Sequence, residues 1–196
     1  METTFKFLKQ LAKNNNKEWF DANRKTYDTS KAEGDSRGKS GCDKSVLFDP
    51  KLAGLDARKS LFRINKDVRF SKDKSPYKNN VAAVFSRNGK NDEDYPGFYV
   101  HIGAKEIMMG GGKYFTTKPQ LEKIRQEIYY NNKTFSKILN EKSFKDKFKS
   151  LDGEKSKILP PDYKAFITTQ PLIANKQFWY HANLSRKEVT SDKLDS

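Results

Sequence analysis

The sequence predicts an α+β fold, an antiparallel meander of about four to six strands packed against N-terminal and C-terminal helices, on three observations. Phe5, Leu8, Leu11 and Ala12 recur at helical spacing near the start of the chain. Two short β-branched and aromatic runs, Val81 to Phe85 and Phe98 to Ile102, flank the polar turn Asn88-Gly89-Lys90-Asn91-Asp92-Glu93-Asp94, as paired antiparallel strands do. Helical periodicity then returns with Leu121, Ile124 and Ile128. At 196 residues the chain falls within the size of one domain, 1–196. Only 35% of residues are hydrophobic, but 14 Phe, 9 Tyr and 2 Trp predict an aromatic-rich core rather than disorder.

In chain order, Thr3 and Thr4 can cap the first amphipathic helix, and the run Asn14-Asn15-Asn16 stops it. Asn15 followed by Glu18 resembles a capping box, with Trp19, Asn23 and Tyr27 lining a second short helix. Residues 30–45 contain three glycines and no large apolar side chain, which predicts a flexible loop. Structure resumes near Val46-Leu47-Phe48. In the second strand of the meander Phe98, Val100 and Ile102 share one face and Tyr99 and His101 the other; Gly103-Ala104-Lys105 turns into a further strand at Glu106 to Met109. Thr117 with Gln120 and Pro119 makes a good helix start. Another helix begins near Thr134 and continues or restarts through Phe144 and Phe148. Pro160-Pro161 stops helical structure, Phe178-Trp179-Tyr180 forms a last strand or a wedge, and a polar tail follows Leu184.

Thirty-nine Lys and Arg against 25 Asp and Glu give a net charge of +14, which favours polyanionic or anionic partners, although a general Lys and Asn bias explains part of it. The single cysteine, Cys42, excludes an internal disulfide and any multi-Cys zinc site. No signal-peptide core and no membrane-length apolar stretch occurs, so the expectation is a soluble cytoplasmic protein with no membrane partner.

The chemistry concentrates between Arg63 and Lys78, where six cations and two carboxylates leave a net +4 over 16 residues. Read as a strand over 62–70, the segment puts Phe62, Ile64, Val68 and Phe70 on one face and Arg63, Asn65, Asp67 and Arg69 on the other. Two guanidiniums on that face would clamp a phosphate or carboxylate while Asp67 orients one of them through a forked hydrogen bond. Lys74, Tyr77 and Lys78 follow as outer contacts in a turn stiffened by Pro76. A solvated face in which Asp67 merely neutralises its arginines remains the alternative.

These residues, Phe62-Arg63-Ile64-Asn65-Lys66-Asp67-Val68-Arg69-Phe70-Ser71-Lys72-Asp73-Lys74-Ser75-Pro76-Tyr77-Lys78, resemble the signature of the family catalogued as domain of unknown function 2461, found in bacteria, fungi and plants. The resemblance extends to Phe7-Leu8-Lys9, Asn15-Asn16-Lys17-Glu18-Trp19-Phe20, Gly97-Phe98-Tyr99-Val100-His101, Gly110-Gly111-Gly112 and Leu121 with Ile124-Arg125. It implies a shared α+β fold and brings no assigned activity. The chain departs from it at Ser30 to Ser45, where members usually carry a more apolar helical stretch.

Gly111 and Gly112, in Gly110-Gly111-Gly112-Lys113, would let backbone amides approach an anion, or would mark a bulge. The stretch is not a P-loop, which needs glycine where Ile107 stands and Ser or Thr where Tyr114 stands. His101 and Asp67 are the candidates for moving protons if there is turnover. His101 and His181 have no ligand spacing, so neither a metal nor a cofactor is expected. Three functions remain open: an anionic or phosphate-containing small molecule bound at Arg63 to Lys78, non-specific nucleic-acid binding by a basic aromatic face, and a structural module in which that run forms internal ion pairs.

Overall fold

The computed structural model describes residues 1–190 and contains two compact units. The first comprises Met1–Asp92, Gly97–Met109 and the chain from Asn183; the second comprises Glu93–Pro96 and Gly110–Ala182. An antiparallel sheet of four strands, β1 (Asn80–Phe85), β2 (Gly97–Gly103), β3 (Ile107–Lys113) and β4 (Phe178–Asn183), runs in the order β1-β2-β3-β4, so the fold is α+β with the shortest meander expected. β1 and β2 pair from Asn80↔Gly103 to Phe85↔Phe98. No helix among the described residues is long and apolar enough to cross a membrane.

In the first unit, α1 (Glu2–Leu11) buries Phe5, Phe7, Leu8 and Leu11, the stripe its spacing predicts. These join Phe20 of α2 (Lys17–Ala22), Ile64, Tyr77, Ile102 and Ile107 in one core, and Phe20 stacks on Tyr77 at 4.0 Å. Two capping expectations are corrected. Met1 rather than Thr3 or Thr4 precedes α1, and Asn16 rather than Asn15 caps α2, accepting from the Trp19 amide. Thr4 is fully buried, and both its amide and its hydroxyl donate to the Glu33 carboxylate, at 3.1 and 2.6 Å.

Burial alone would raise the Glu33 carboxyl, but hydrogen bonds from Thr4, Thr3 and the terminal ammonium outweigh it and hold the pKa at about 2, against 4.5 ordinarily. A depressed carboxylate stabilises the fold above its unfolded pKa and loses that contribution as pH falls towards the folded value. Glu33→Gln is therefore expected to remove about 2 kcal/mol of stability at neutral pH and to flatten the acid limb of Tm against pH, measured by thermal melts through the acid range.

The loop expected at residues 30–45 is instead the middle of a long helix, α3 (Arg24–Phe48). Its buried face, Ser30, Gly34, Gly38, Cys42 and Ser45, repeats every three or four residues but is built of small side chains. Apolar contact comes from the partners: a Cβ on Gly34 would touch Val81 at 3.4 Å, one on Gly38 would touch Leu61 at 3.6 Å, and one on Gly41 would overlap the Phe85 ring at 2.8 Å. The contrast predicts opposite signs in chemical denaturation. Gly38→Ala should stabilise by about 0.5–1 kcal/mol through helix propensity, and Gly41→Val should destabilise by about 2 kcal/mol through overpacking. Cys42 lies 4% exposed beneath Phe85, and burial raises its thiol pKa.

The strand read over 62–70 does not form. Leu61 bridges singly to Ala83 and Asn65 to Tyr77, with irregular backbone between. A short helix, α4 (Ala57–Ser60), precedes the segment and is capped by Asp56. The polar tail expected after Leu184 begins instead as α9 (Arg186–Thr190), which buries Val189; residues 191–196 lie outside the described residues.

In the second unit, α5 (Lys118–Tyr130) begins at the full Thr117–Gln120 capping box, as its sequence predicts. α6 (Asn132–Leu139) and α7 (Lys142–Phe148) follow as separate helices. Pro160-Pro161 does not end helical structure: Pro161 opens α8 (Pro161–Phe166), where its missing amide costs nothing. Ile128, Tyr163, Ile173 and Phe178 form this unit's core.

Candidate functional site

The segment from Leu61 to Lys78 leaves α4 along β1, with the Phe62 amide donating to the Ala82 carbonyl at 3.0 Å, and then forms a closed loop. Two backbone bonds seal the neck, Lys66 to the Pro76 carbonyl at 2.9 Å and Lys78 to the Ile64 carbonyl at 2.8 Å. Asn15 clamps the same point: its side chain accepts from the Tyr77 amide and donates to the Tyr77 carbonyl, at 3.1 and 2.8 Å. Buried Ile64 and Tyr77 anchor the neck in the core.

Within the loop the charges answer one another. Arg69 grips Asp67 through a fork of 3.0 and 2.7 Å, and this bond holds the Asp67 carboxyl below its usual range. Lys66 meets Asp73 at 2.5 Å, which with the Ser75 amide and hydroxyl keeps Asp73 well below the carboxylate range. Lys74 donates to the Val68 carbonyl at 3.0 Å. Arg69 remains 76% exposed, and Phe70, at 95%, stands in solvent beside it. A carboxylate with both oxygens occupied by a guanidinium is an orienting group, not a poised base.

Arg63 is placed differently. It forms no salt bridge with any carboxylate among the described residues, and it lines a cleft of about 370 Å³ in the first unit. The lining includes Tyr27, Lys31, Gly34 and Asp35 of α3, then Arg58, Phe62 and Arg63, Asn80 and Val81 of β1, and Lys90, whose ammonium donates to the Lys59 carbonyl at 3.4 Å. Four cations thus face the cleft against one carboxylate, and Gly34, lacking a side chain, keeps its floor open. Lys78, which does not line the cleft, has its ammonium 5.3 Å from the centre of the Phe62 ring. Burial, and to a lesser extent the neighbouring Arg63, lower its pKa.

Of the residues singled out from sequence, Arg63 alone lines the cleft, Lys78 stands outside its lining against the Phe62 ring, and Asp67, Arg69 and Lys74 belong to the self-satisfied loop. Asn65 is exposed at its neck, and Tyr77 is 7% exposed in the core. Gly111 and Gly112 lie within β3 in the second unit. His101, on β2, has Nδ1 3.1 Å from the Tyr99 hydroxyl and Nε2 3.9 Å from Glu106; burial lowers its pKa, with Glu106 opposing. It does not line the cleft. Lys31, Arg58 and Lys90 went unnoticed in the sequence. Lys31 falls in the stretch read as a loop, and the other two lie outside the basic run; only the helical spacing of Tyr27, Lys31 and Gly34 offered a signal.

The fold and site define an α+β protein with a four-stranded antiparallel sheet, a self-bonded basic loop and a cationic cleft at the loop's root. The chain belongs to the family of conserved hypothetical proteins DUF2461, whose model matches residues 3–196. No curated protein and no solved structure matches it.

Proposed function

We propose that the protein binds a phosphorylated or otherwise anionic small molecule in the cleft beside Arg63. The observation that carries this reading is the convergence of Arg63, Arg58, Lys31 and Lys90 on one concavity with only Asp35 opposing them. Cations lining one cleft without a carboxylate partner repel one another in the free protein, so an anion relieves repulsion as well as forming charge-assisted hydrogen bonds. A volume of about 370 Å³ suits a small molecule. Tyr27 and Phe62 offer flat apolar surface for the uncharged part of such a ligand. Arg63 supplies the fork for a phosphate or carboxylate, and Arg58 and the lysines supply the surrounding field.

The test is a thermal-shift screen of inorganic phosphate, pyrophosphate, nucleoside monophosphates and small polycarboxylates. A ligand near a hundredfold excess over Kd adds about 2.7 kcal/mol, a rise of several degrees. Arg63→Ala is expected to abolish that shift while leaving ligand-free stability within about 0.5 kcal/mol, because the side chain is exposed and unpaired. If no anion stabilises the wild type beyond the Arg63→Ala variant, the reading fails.

A further inference from the structure

Three half-buried polar groups lining the Arg63 cleft have no hydrogen-bonding or ionic partner among the described residues: the Tyr27 hydroxyl, the Asp35 carboxylate and the Asn80 carboxamide. Each sets a different demand on a ligand. An ionised carboxylate only accepts, a phenol donates or accepts, and a carboxamide does both at once. A bare phosphate satisfies the cations but is repelled by Asp35. A ligand that uses the whole lining therefore carries a neutral donor, a hydroxyl or an amine, as well as its negative charge.

Two aromatic rings also line the cleft. Tyr27 is fixed by Phe7 and Phe20, whose ring centres lie 5.8 and 4.9 Å away. Phe62 is half-buried but belongs to none of the three core clusters. Its ring meets the Lys78 ammonium, which lies outside the lining, and no other ring or cation among the described residues. An aromatic side chain that lines a cleft and packs into no core leaves surface for a ligand's ring. A sugar phosphate or a polycarboxylate would leave that surface uncovered, whereas a base or other flat heterocycle covers it.

We propose that the ligand of this cleft is a nucleoside monophosphate, with its phosphate on Arg63, a ribose hydroxyl or exocyclic amine donating to Asp35, and its base against Phe62 and Tyr27 with Asn80 at the base's polar edge. The proposal rests on the anion reading above and narrows it to one class. Cations alone accept any anion; Asp35 and the rings disfavour those that lack a donor or a flat body.

The experiment is isothermal titration calorimetry of the full chain with inorganic phosphate, ribose 5-phosphate and the four common nucleoside monophosphates. The tightest nucleotide is expected to bind about tenfold more strongly than ribose 5-phosphate, an advantage that Phe62→Leu should largely remove without weakening inorganic phosphate. Asp35→Ala separates charge from hydrogen bonding: inorganic phosphate should bind more tightly, while the nucleotide's advantage over phosphate falls about tenfold. Thermal melts of both variants check folding, and the wild-type ranking tests the class without them. Nucleotides no tighter than ribose 5-phosphate, or a nucleotide advantage unchanged in Asp35→Ala, overturn the nucleotide assignment, and phosphate binding to the wild type then leaves the anion reading standing. Binding of none of these ligands overturns both.

Discussion

Replacing Gly112 with alanine is expected to destabilise the protein by about 4 kcal/mol and to lower Tm by roughly 10 °C. The residue sits within β3 at φ +124°, a conformation that L side chains rarely adopt, and a Cβ there would lie 2.2 Å from the Phe178 carbonyl oxygen. Neither conflict can relax cheaply, because the opposing atoms are backbone. Gly54 separates the two causes: it too has positive φ, at +79°, but nothing stands within 4 Å of its Cβ position. Gly54→Ala should therefore cost only about 1 kcal/mol. Equal losses at the two positions, in parallel denaturation curves, would show that close strand approach contributes nothing.

Arg125→Met should cost about 3 kcal/mol, again with a fall in Tm near 10 °C. Arg125 is 7% exposed and donates to the carbonyls of Ile173 and Asn175, at 3.0 and 3.4 Å, and to the Ser156 hydroxyl at 2.6 Å. Burial lowers its pKa, with Glu122 opposing. Methionine fills similar volume but leaves buried carbonyls without donors, so the loss reads out hydrogen bonding rather than packing. Arg125→Lys should recover only part of it, because a single ammonium cannot span the fork. A melt of Arg125→Met indistinguishable from wild type would contradict this account.

What the sequence revealed of the fold was what neighbouring residues decide. The Thr117–Gln120 box, the α1 stripe and the β1–β2 hairpin all depend on residues a few positions apart, and all three were read from spacing. Helix α3 was not, because a stripe of Ser, Gly and Cys becomes an apolar face only against Val81, Leu61 and Phe85, which lie far along the chain. Asn15 misled for a similar reason. Its position suits a cap, but its side chain is committed to the backbone of Tyr77, 62 residues away.

The candidate site was legible at one corner. Arg63 stood out because charge is dense around it, and the forked Asp67–Arg69 bond was anticipated, although it closes on itself in a loop rather than along a strand. Arg58 and Lys90 carry no local mark in a chain with 39 Lys and Arg, Lys31 has only its helical spacing from Tyr27, and the fold gathers all three on one cleft with Arg63. The glycines of β3 were read as anion contacts or a bulge; carbonyls of β4 lie against Gly110 and Gly112, where a Cβ would clash.

Crystals of the protein soaked with pyrophosphate test the central claim most directly. The account predicts ordered anion density against the Arg63 guanidinium, within hydrogen-bond distance of Arg58 or Lys31, and its loss in Arg63→Ala crystals. An empty cleft beside an Arg63 turned into solvent, with the anion seated only elsewhere, would contradict it.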